Sequence, residues 1–147
     1  MNWAPHVTVA AIIEQDARYL IVEENDAGQR VYNQPAGHLE QDESLLEAVI
    51  REVFEETARR FTPDKLVGIY QWKKPGTDMS FLRVCFSGQA GPQREEQALD
   101  ADIIATHWMT VDELAANPAA LRSPMVLQCI ADYRQGQQYP LDILQAV

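Results

Sequence analysis

Apolar residues in this chain fall into short runs divided by turn-forming residues, with one long helical pattern among them. Residues 6–13 (HVTVAAII) are almost continuously apolar and rich in β-branched side chains. That predicts a strand buried on both faces. Residues 19–24 (YLIVEE) predict a second strand, and Val31-Tyr32 opens a third after the turn-forming segment 25–29. Pro35-Ala36-Gly37 predicts a break in regular structure. A long helix is predicted over 43–60, followed by strands over 66–72 and 81–87 around a Pro75-Gly76 turn. A polar loop (89–101) leads to a strand over 103–109. Thr110, with Glu113 three residues later, has the form of a capping box and opens a short helix. A last helix is predicted over 124–134, stopped near Gly136. Strands before, between and after the main helix predict an α+β fold, a mixed sheet packed between helices as an α/β/α sandwich. No repeat or linker divides the 147 residues, so one domain over 1–147 is expected.

The long helix carries the chemistry. Ser44 is placed to cap it, with Glu47 three residues on. At about 100° per residue, Leu46, Val49, Ile50, Val53 and Phe54 share one arc, the predicted core-facing stripe. Glu52, Glu55 and Glu56 share a separate arc on the opposite side. Like charges at such spacings repel by a few tenths of a kcal/mol per pair, and no Lys or Arg stands at 55–57 to offset them. A solvated acidic stripe would look the same by periodicity alone. A hard divalent cation would instead turn the repulsion into binding, since Mg²⁺ takes carboxylate oxygens and keeps several waters. Those waters can be activated, and the metal can neutralise phosphate oxygens.

Charge narrows the choice of ligand. The net charge is −10, with no basic cluster beyond Lys73-Lys74 and Arg59-Arg60. A nucleic-acid polymer needs a basic surface, so it is not an expected partner. A small anionic ligand bridged to the acidic protein by a cation is. No apolar run reaches membrane-spanning length. Residues 1–6 have neither the basic nor the apolar part of a secretory signal, so the cytoplasm is the expected compartment. Cys85 and Cys129 lie in apolar stretches and fit no zinc spacing, which predicts two buried thiols. A monomer is expected, because no long heptad or interface helix is visible.

The spacing of Gly37, Glu43, Arg51, Glu52, Val53, Glu55 and Glu56 resembles the signature box of the Nudix hydrolase family. With ordinary residue frequencies such a coincidence has odds on the order of a few in a million. Two positions depart: the closing glycine is Ala58 and the closing aliphatic residue is Arg59. Ala58 therefore implies a longer helix or a less relaxed exit turn. The flanks HVTVA (6–10), NQPAGHLE (33–40), QW (71–72), FLR (81–83), LRSP (121–124) and YPL (139–141) resemble the NudJ-type branch of bacterial Nudix phosphatases.

That resemblance implies Mg²⁺, with Mn²⁺ able to substitute, held by Glu52, Glu56 and Glu55 and by the backbone carbonyl of Ala36. It implies that Arg51 orients a neighbouring carboxylate, for which Glu55 at i+4 is suited, and that Glu43 is structural. It adds an acidic residue about six positions before a strand tryptophan. Asp102 before Trp108 holds that place, with Asp100 nearby. The implied substrates are nucleoside di- and triphosphates and the pyrophosphate ester of the thiamine pyrimidine precursor. Glu52, Glu55 and Asp102 are the candidate proton acceptors for an attacking water, and no side chain has the setting of a covalent nucleophile.

A ring-bearing substrate needs an aromatic wall, for which Tyr32, Trp72 and Phe81 are candidates. Arg83, Lys73 and Arg122 are candidates for phosphate, and Gln34 and Gln71 for a base edge. Each also reads as an ordinary core or surface residue. The competing function is a Nudix-like module that binds a metabolite without cutting it. Such members usually lose box carboxylates, and Glu52, Glu55 and Glu56 are all present.

Overall fold

The nearly continuous apolar run at the start of the chain forms the centre of a sheet, as a computed structural model covering residues 2–147 shows. Strand β1 (His6–Gln15) runs parallel to β6 (Ser80–Ala90) and antiparallel to β4 (Ala36–His38). Strand β5 (Phe61–Lys73) lies on the outer side of β6, antiparallel to it. At its far end β1 turns into β2 (Arg18–Asp26), which pairs with β3 (Gln29–Asn33) on one side and β7 (Ile103–Met109) on the other. The result is a mixed seven-stranded sheet, the expected α+β architecture.

Alternation along β1 explains its composition. Val9, Ala11 and Ile13 face helix α1 (Leu45–Thr57) and join Val49, Val53 and Phe86. Ala10 and Ile12 face α3 (Met125–Arg134) and join Cys85, Cys129 and Ile130. Both faces are covered, so both residue parities must be apolar. Each fully buried Val, Ile or Phe side chain here contributes roughly 1.5–3 kcal/mol. Both cysteines are buried free thiols. Helix α2 (Val111–Ala115) is capped by Thr110 in the predicted box. No described helix is long and apolar enough to cross a membrane.

Three local readings are corrected. Residues 36–38 are a strand, not a break: Pro35 needs no ladder donor at its entry and its carbonyl accepts from Ala11 N at 3.0 Å. Strand β5 begins five residues before the predicted Leu66, because an outer strand tolerates Pro63 and absorbs it with a bulge at Pro63/Lys65. In α1 the buried arc is rotated toward the carboxylates. Ile50 is 38 % exposed, whereas Glu52 and Glu56 are 8 % and 6 % exposed. The helix is covered by β4 as well as by the sheet core, and a reading that places every Glu in solvent misses that second cover.

The helix exit resolves the question raised by Ala58. The helix stops at Thr57, three residues short of the prediction, and Ala58 takes a left-handed conformation (φ 57°, ψ 29°). Alanine pays roughly 1–2 kcal/mol there. Replacement by glycine would remove that strain. It would also forfeit the burial of a methyl group, about 0.8 kcal/mol, and add unfolded-state freedom of about 0.4–1 kcal/mol. The terms nearly cancel. Ala58→Gly is expected to shift unfolding free energy by less than about 1 kcal/mol, measured by urea denaturation; a larger gain would show that the exit turn is more strained than its dihedrals imply.

Candidate active site

Two local devices bring the box residues together. Ser44 and Glu47 form a reciprocal capping box that fixes where α1 starts. Gly37 lets β4 approach the helix: a Cβ at that position would lie 2.1 Å from Glu52 Cδ. The glycine is required for close approach rather than for an unusual dihedral.

Arg51 is the organising cation. Its Nε and Nη2 grip both oxygens of Glu43 at 2.9 and 2.6 Å. Its Nη1 donates to Glu52 Oε1 at 2.7 Å and to Glu55 Oε1 at 2.9 Å. Glu40 stands 3.3 Å away, and the carbonyl of His38 accepts from Nη2 at 3.0 Å. Glu43 is thus the bidentate partner, and Glu55 shares Nη1 with Glu52. Glu56 is anchored separately, its Oε1 accepting from Ala36 N at 2.9 Å. Each of Glu52, Glu55 and Glu56 commits Oε1 to a protein donor. The Oε2 atoms have no protein hydrogen bond among the described residues.

One guanidinium therefore faces the carboxylates of Glu40, Glu43, Glu52 and Glu55. The three box glutamates also lie in the C-terminal half of α1, the negative end of its dipole, and its last turn has no basic residue. Burial pushes the Glu52 carboxyl up to about 7, against the pull of Arg51 and with help from Glu55 and Asp100. Glu56 is raised well above the ordinary range, first by burial, then by Glu24, Glu52 and Asp100 despite the Ala36 N–H. Asp100 is raised by burial and by Glu55. Oxygens of Glu52, Glu55 and Asp100 lie within 4.8 Å of one another. These are hard oxygen donors, anchored on one side, free on the other and short of positive charge. They fit a small divalent cation.

The same shifts fix a pH response. A carboxyl raised in the folded state holds its proton to higher pH than in the unfolded chain. Metal-free protein should therefore lose stability as pH rises from about 4.5 to about 7. The loss should be on the order of 2 kcal/mol, and Mg²⁺ should restore more stability at pH 8 than at pH 5. Denaturation at both pH values, with chelator and with metal, reads this directly. A metal-free protein that gains stability across that window would show the carboxylates to be well compensated.

Glu52 and Glu56 open into a cavity of about 460 Å³ that also meets Ala36, Gly37 and Asp102. Its far wall holds Trp72, Phe81 and Arg83, and Arg122 lies along its side. Arg122 is paired with Glu24 at 2.7 Å and Asp26 at 3.1 Å. A larger groove of about 730 Å³, beside Glu14, Tyr133 and Arg134, contains none of the box residues.

Four predicted residues are placed differently. Tyr32 alternates with Asn33 on β3; Asn33 faces the cavity, so Tyr32 points away and meets the His107 ring edge-on. Gln34 is 1 % exposed and ties the core, donating to Val126 O at 2.7 Å and accepting from Arg83. It has no edge to offer a base. Lys73 does not reach the cavity, whereas Lys74 does. Asp102 lines the wall, but Asp100 is the residue that joins the carboxylate cluster. The Asp100 N–H donates to Glu55 O at 2.9 Å, which fixes the loop there. Glu24 went unforeseen. Its one signal was an acidic pair, Glu23-Glu24, ending an apolar strand, and both residues are buried.

A family profile described as NUDIX domain matches residues 4–128. The chain belongs to the Nudix hydrolase family. The protein named Phosphatase NudJ of Escherichia coli strain K12 is 39 % identical over 140 residues, covering 95 % of this chain and 90 % of the relative. A NUDIX hydrolase from Nitrosomonas europaea is 48 % identical and superimposes with a TM-score of 0.95 over 98 % of both chains. The NUDIX domain of Shewanella oneidensis NrtR, solved with ADP ribose, shares the fold at 21 % identity with a TM-score of 0.70, over 91 % of this chain and 89 % of that one. This Nudix hydrolase is accordingly an enzyme that hydrolyses phosphoanhydride bonds, built on the α+β fold expected from its sequence.

Proposed function

We propose that this Nudix hydrolase is Mg²⁺-dependent and releases phosphate from small metabolites, nucleoside di- and triphosphates foremost. The pyrophosphate ester of the thiamine pyrimidine precursor (4-amino-2-methyl-5-hydroxymethylpyrimidine pyrophosphate) is a further candidate. The observation that carries the proposal is the anchored, under-compensated carboxylate cluster at the mouth of a ligand-sized cavity. Glu52, Glu55 and Glu56 would hold the metal through their free oxygens, with Asp100 closing the cluster and the carbonyl of Ala36 beside it. Bound there, Mg²⁺ or Mn²⁺ supplies charge neutralisation for phosphate oxygens and an acidified water.

The chain's own residues do the rest. Arg51 fixes two carboxylates from one nitrogen, so their free oxygens converge without a search. Ala36 N–H fixes the third. Water attacks phosphorus in line as the bridging P–O bond of the phosphoanhydride breaks and the leaving phosphate departs with that oxygen, and the water's proton passes to a carboxylate. Whichever of Glu52, Glu55 and Asp102 leaves an oxygen off the metal would take that proton, and Glu52 and Asp102 both line the cavity. A phosphate-release screen over nucleotides and the pyrimidine pyrophosphate, with Mg²⁺ and with chelator, tests the proposal and identifies the bond cut. Turnover that survives chelation, or none across the panel, would overturn it.

A further inference from the structure

Arg83 sits in an unusual electrostatic position. It is 4 % exposed and forms part of the cavity wall. Its Nη1 donates to Gln34 Oε1 at 2.8 Å and its Nη2 to Asn33 Oδ1 at 3.1 Å. Both acceptors are neutral amides. No carboxylate lies within ion-pair distance of Arg83 among the described residues, and its Nε has no partner. A buried guanidinium without a counter-charge costs several kcal/mol unless something else satisfies it. Arginine has five N–H donors, so Nη hydrogens remain for whatever enters the cavity.

The surroundings say what enters. Phe81 is two residues away on the same strand and thus on the same face. It stacks on Trp72 of β5 at 5.8 Å and on His6 of β1 at 5.0 Å. The three rings make a continuous row across three neighbouring strands, in register at Trp72↔Phe81 and His6↔Phe81. Arg83 lies opposite Thr8, one step deeper along the same faces. Two strand spacings separate β6 from β4, roughly 10 Å, so this wall is remote from the carboxylates. A flat ring lying against the row would point its edge at the guanidinium. A second phosphate would gain nothing from the row.

We propose that Arg83 and the Trp72–Phe81–His6 row form the subsite for the non-reacting end of the substrate. That end is a planar heterocycle with a hydrogen-bond acceptor on its edge, its face on Phe81 and its acceptor on Arg83. The proposal rests on the phosphohydrolase reading for the location of the reacting end only. The test reads binding by calorimetry in Mg²⁺ with monophosphates, which carry no phosphoanhydride bond. Cytidine 5′-monophosphate has a ring with acceptors, benzyl phosphate a ring without them, and ribose 5-phosphate no aromatic ring.

Wild-type protein should bind them in that order, with steps of about tenfold. Arg83→Met should reduce cytidine monophosphate to the affinity of benzyl phosphate and leave the other two unchanged. Phe81→Leu should weaken both ring ligands and spare ribose 5-phosphate. Equal weakening of all three in Arg83→Met would make Arg83 a phosphate holder and overturn the proposal. So would equal wild-type affinities for cytidine monophosphate and ribose 5-phosphate. Should Arg83→Met fail to fold, the wild-type order and Phe81→Leu decide: equal binding of the two ring ligands overturns the acceptor assignment. The wild-type order together with absent turnover of nucleoside diphosphates would sink the phosphohydrolase reading and leave this subsite standing.

Discussion

Glu56→Gln is expected to lower Mg²⁺-dependent turnover by about a thousandfold while making the metal-free protein more stable. The two effects have the same cause with opposite signs. Glutamine keeps the length of the side chain and a carbonyl oxygen for the Ala36 N–H that now holds Glu56. What disappears is a negative charge at a position 6 % exposed, close to Glu24, Glu52 and Asp100. Without metal the folded chain must either keep that carboxyl protonated or bury its charge, a burden both ways, and removing it should add on the order of 1 kcal/mol. With metal it is a ligand. Loss of groups that merely orient ligands costs about 10–100-fold, and loss of the ligand's own charge costs more. Steady-state rates in Mg²⁺ and urea titrations in chelator measure the two arms. Activity within tenfold of wild type would remove Glu56 from the metal site.

Gly37→Ala should separate fold from chemistry in a different way. The glycine has an ordinary backbone conformation, so alanine adds no dihedral strain. Its methyl group would land 2.1 Å from Glu52 Cδ and 2.3 Å from both carboxylate oxygens. The obstacle is the end of a flexible side chain, which can swing away. Stability should therefore fall by no more than about 1–2 kcal/mol. Glu52 would lose its hydrogen bond to Arg51 and its place beside Glu55 and Asp100. A misplacement of about 1 Å at a reacting centre costs about a hundredfold, and the displacement here is larger. We expect kcat to fall by at least about a hundredfold with the melting temperature lowered by no more than about 8 °C. A variant with full kcat would mean that Glu52 acts from more than one position.

The apolar pattern revealed the sheet and its helices because most of their residues answer to one demand, burial on a fixed period. Strand β1 needed apolar side chains of both parities and displayed them. Both predicted capping boxes are present, since a cap is a purely local transaction. What escaped was tertiary. Strand β4 is three residues long and exists because β1 offers it a ladder. The helix face was misjudged for a related reason: β4 buries Glu52 and Glu56, and no periodicity distinguishes a buried carboxylate from a solvated one.

The site was legible where residues share one helix and obscure where they converge from separate elements. Glu52, Glu55, Glu56 and Arg51 could be grouped from spacing alone. Asp100 could not, because its place depends on a hydrogen bond to the helix rather than on its distance from Trp108. Residue parity would have separated Tyr32 from the cavity only if β3 had been extended to Asn33. Gln34 was read as a candidate for a base edge and Arg83 for phosphate, and neither reading could count the hydrogen bonds each side chain already makes. In the folded chain one is consumed by the core and the other retains unspent donors.

The loop after β6 bears on how such a site can vary. Gly91 N donates to Arg60 O, Arg94 N to Ala58 O and Asp100 N to Glu55 O. The loop is fastened to the exit of α1 at each end, and its last fastening is the residue that reaches the carboxylates. Between Arg94 and Asp100 the chain hydrogen-bonds only within itself among the described residues, Gln97 N donating to Arg94 O at 3.1 Å and the Gln97 side chain to Ala98 O. Segments inserted there would bulge outward without shifting Asp100, because its position is measured from the helix and not along the chain. The geometry of hydrolysis can thus stay constant while this outer loop is lengthened or rebuilt, and the chain can gain new surface beside the site without the reaction having to be reinvented.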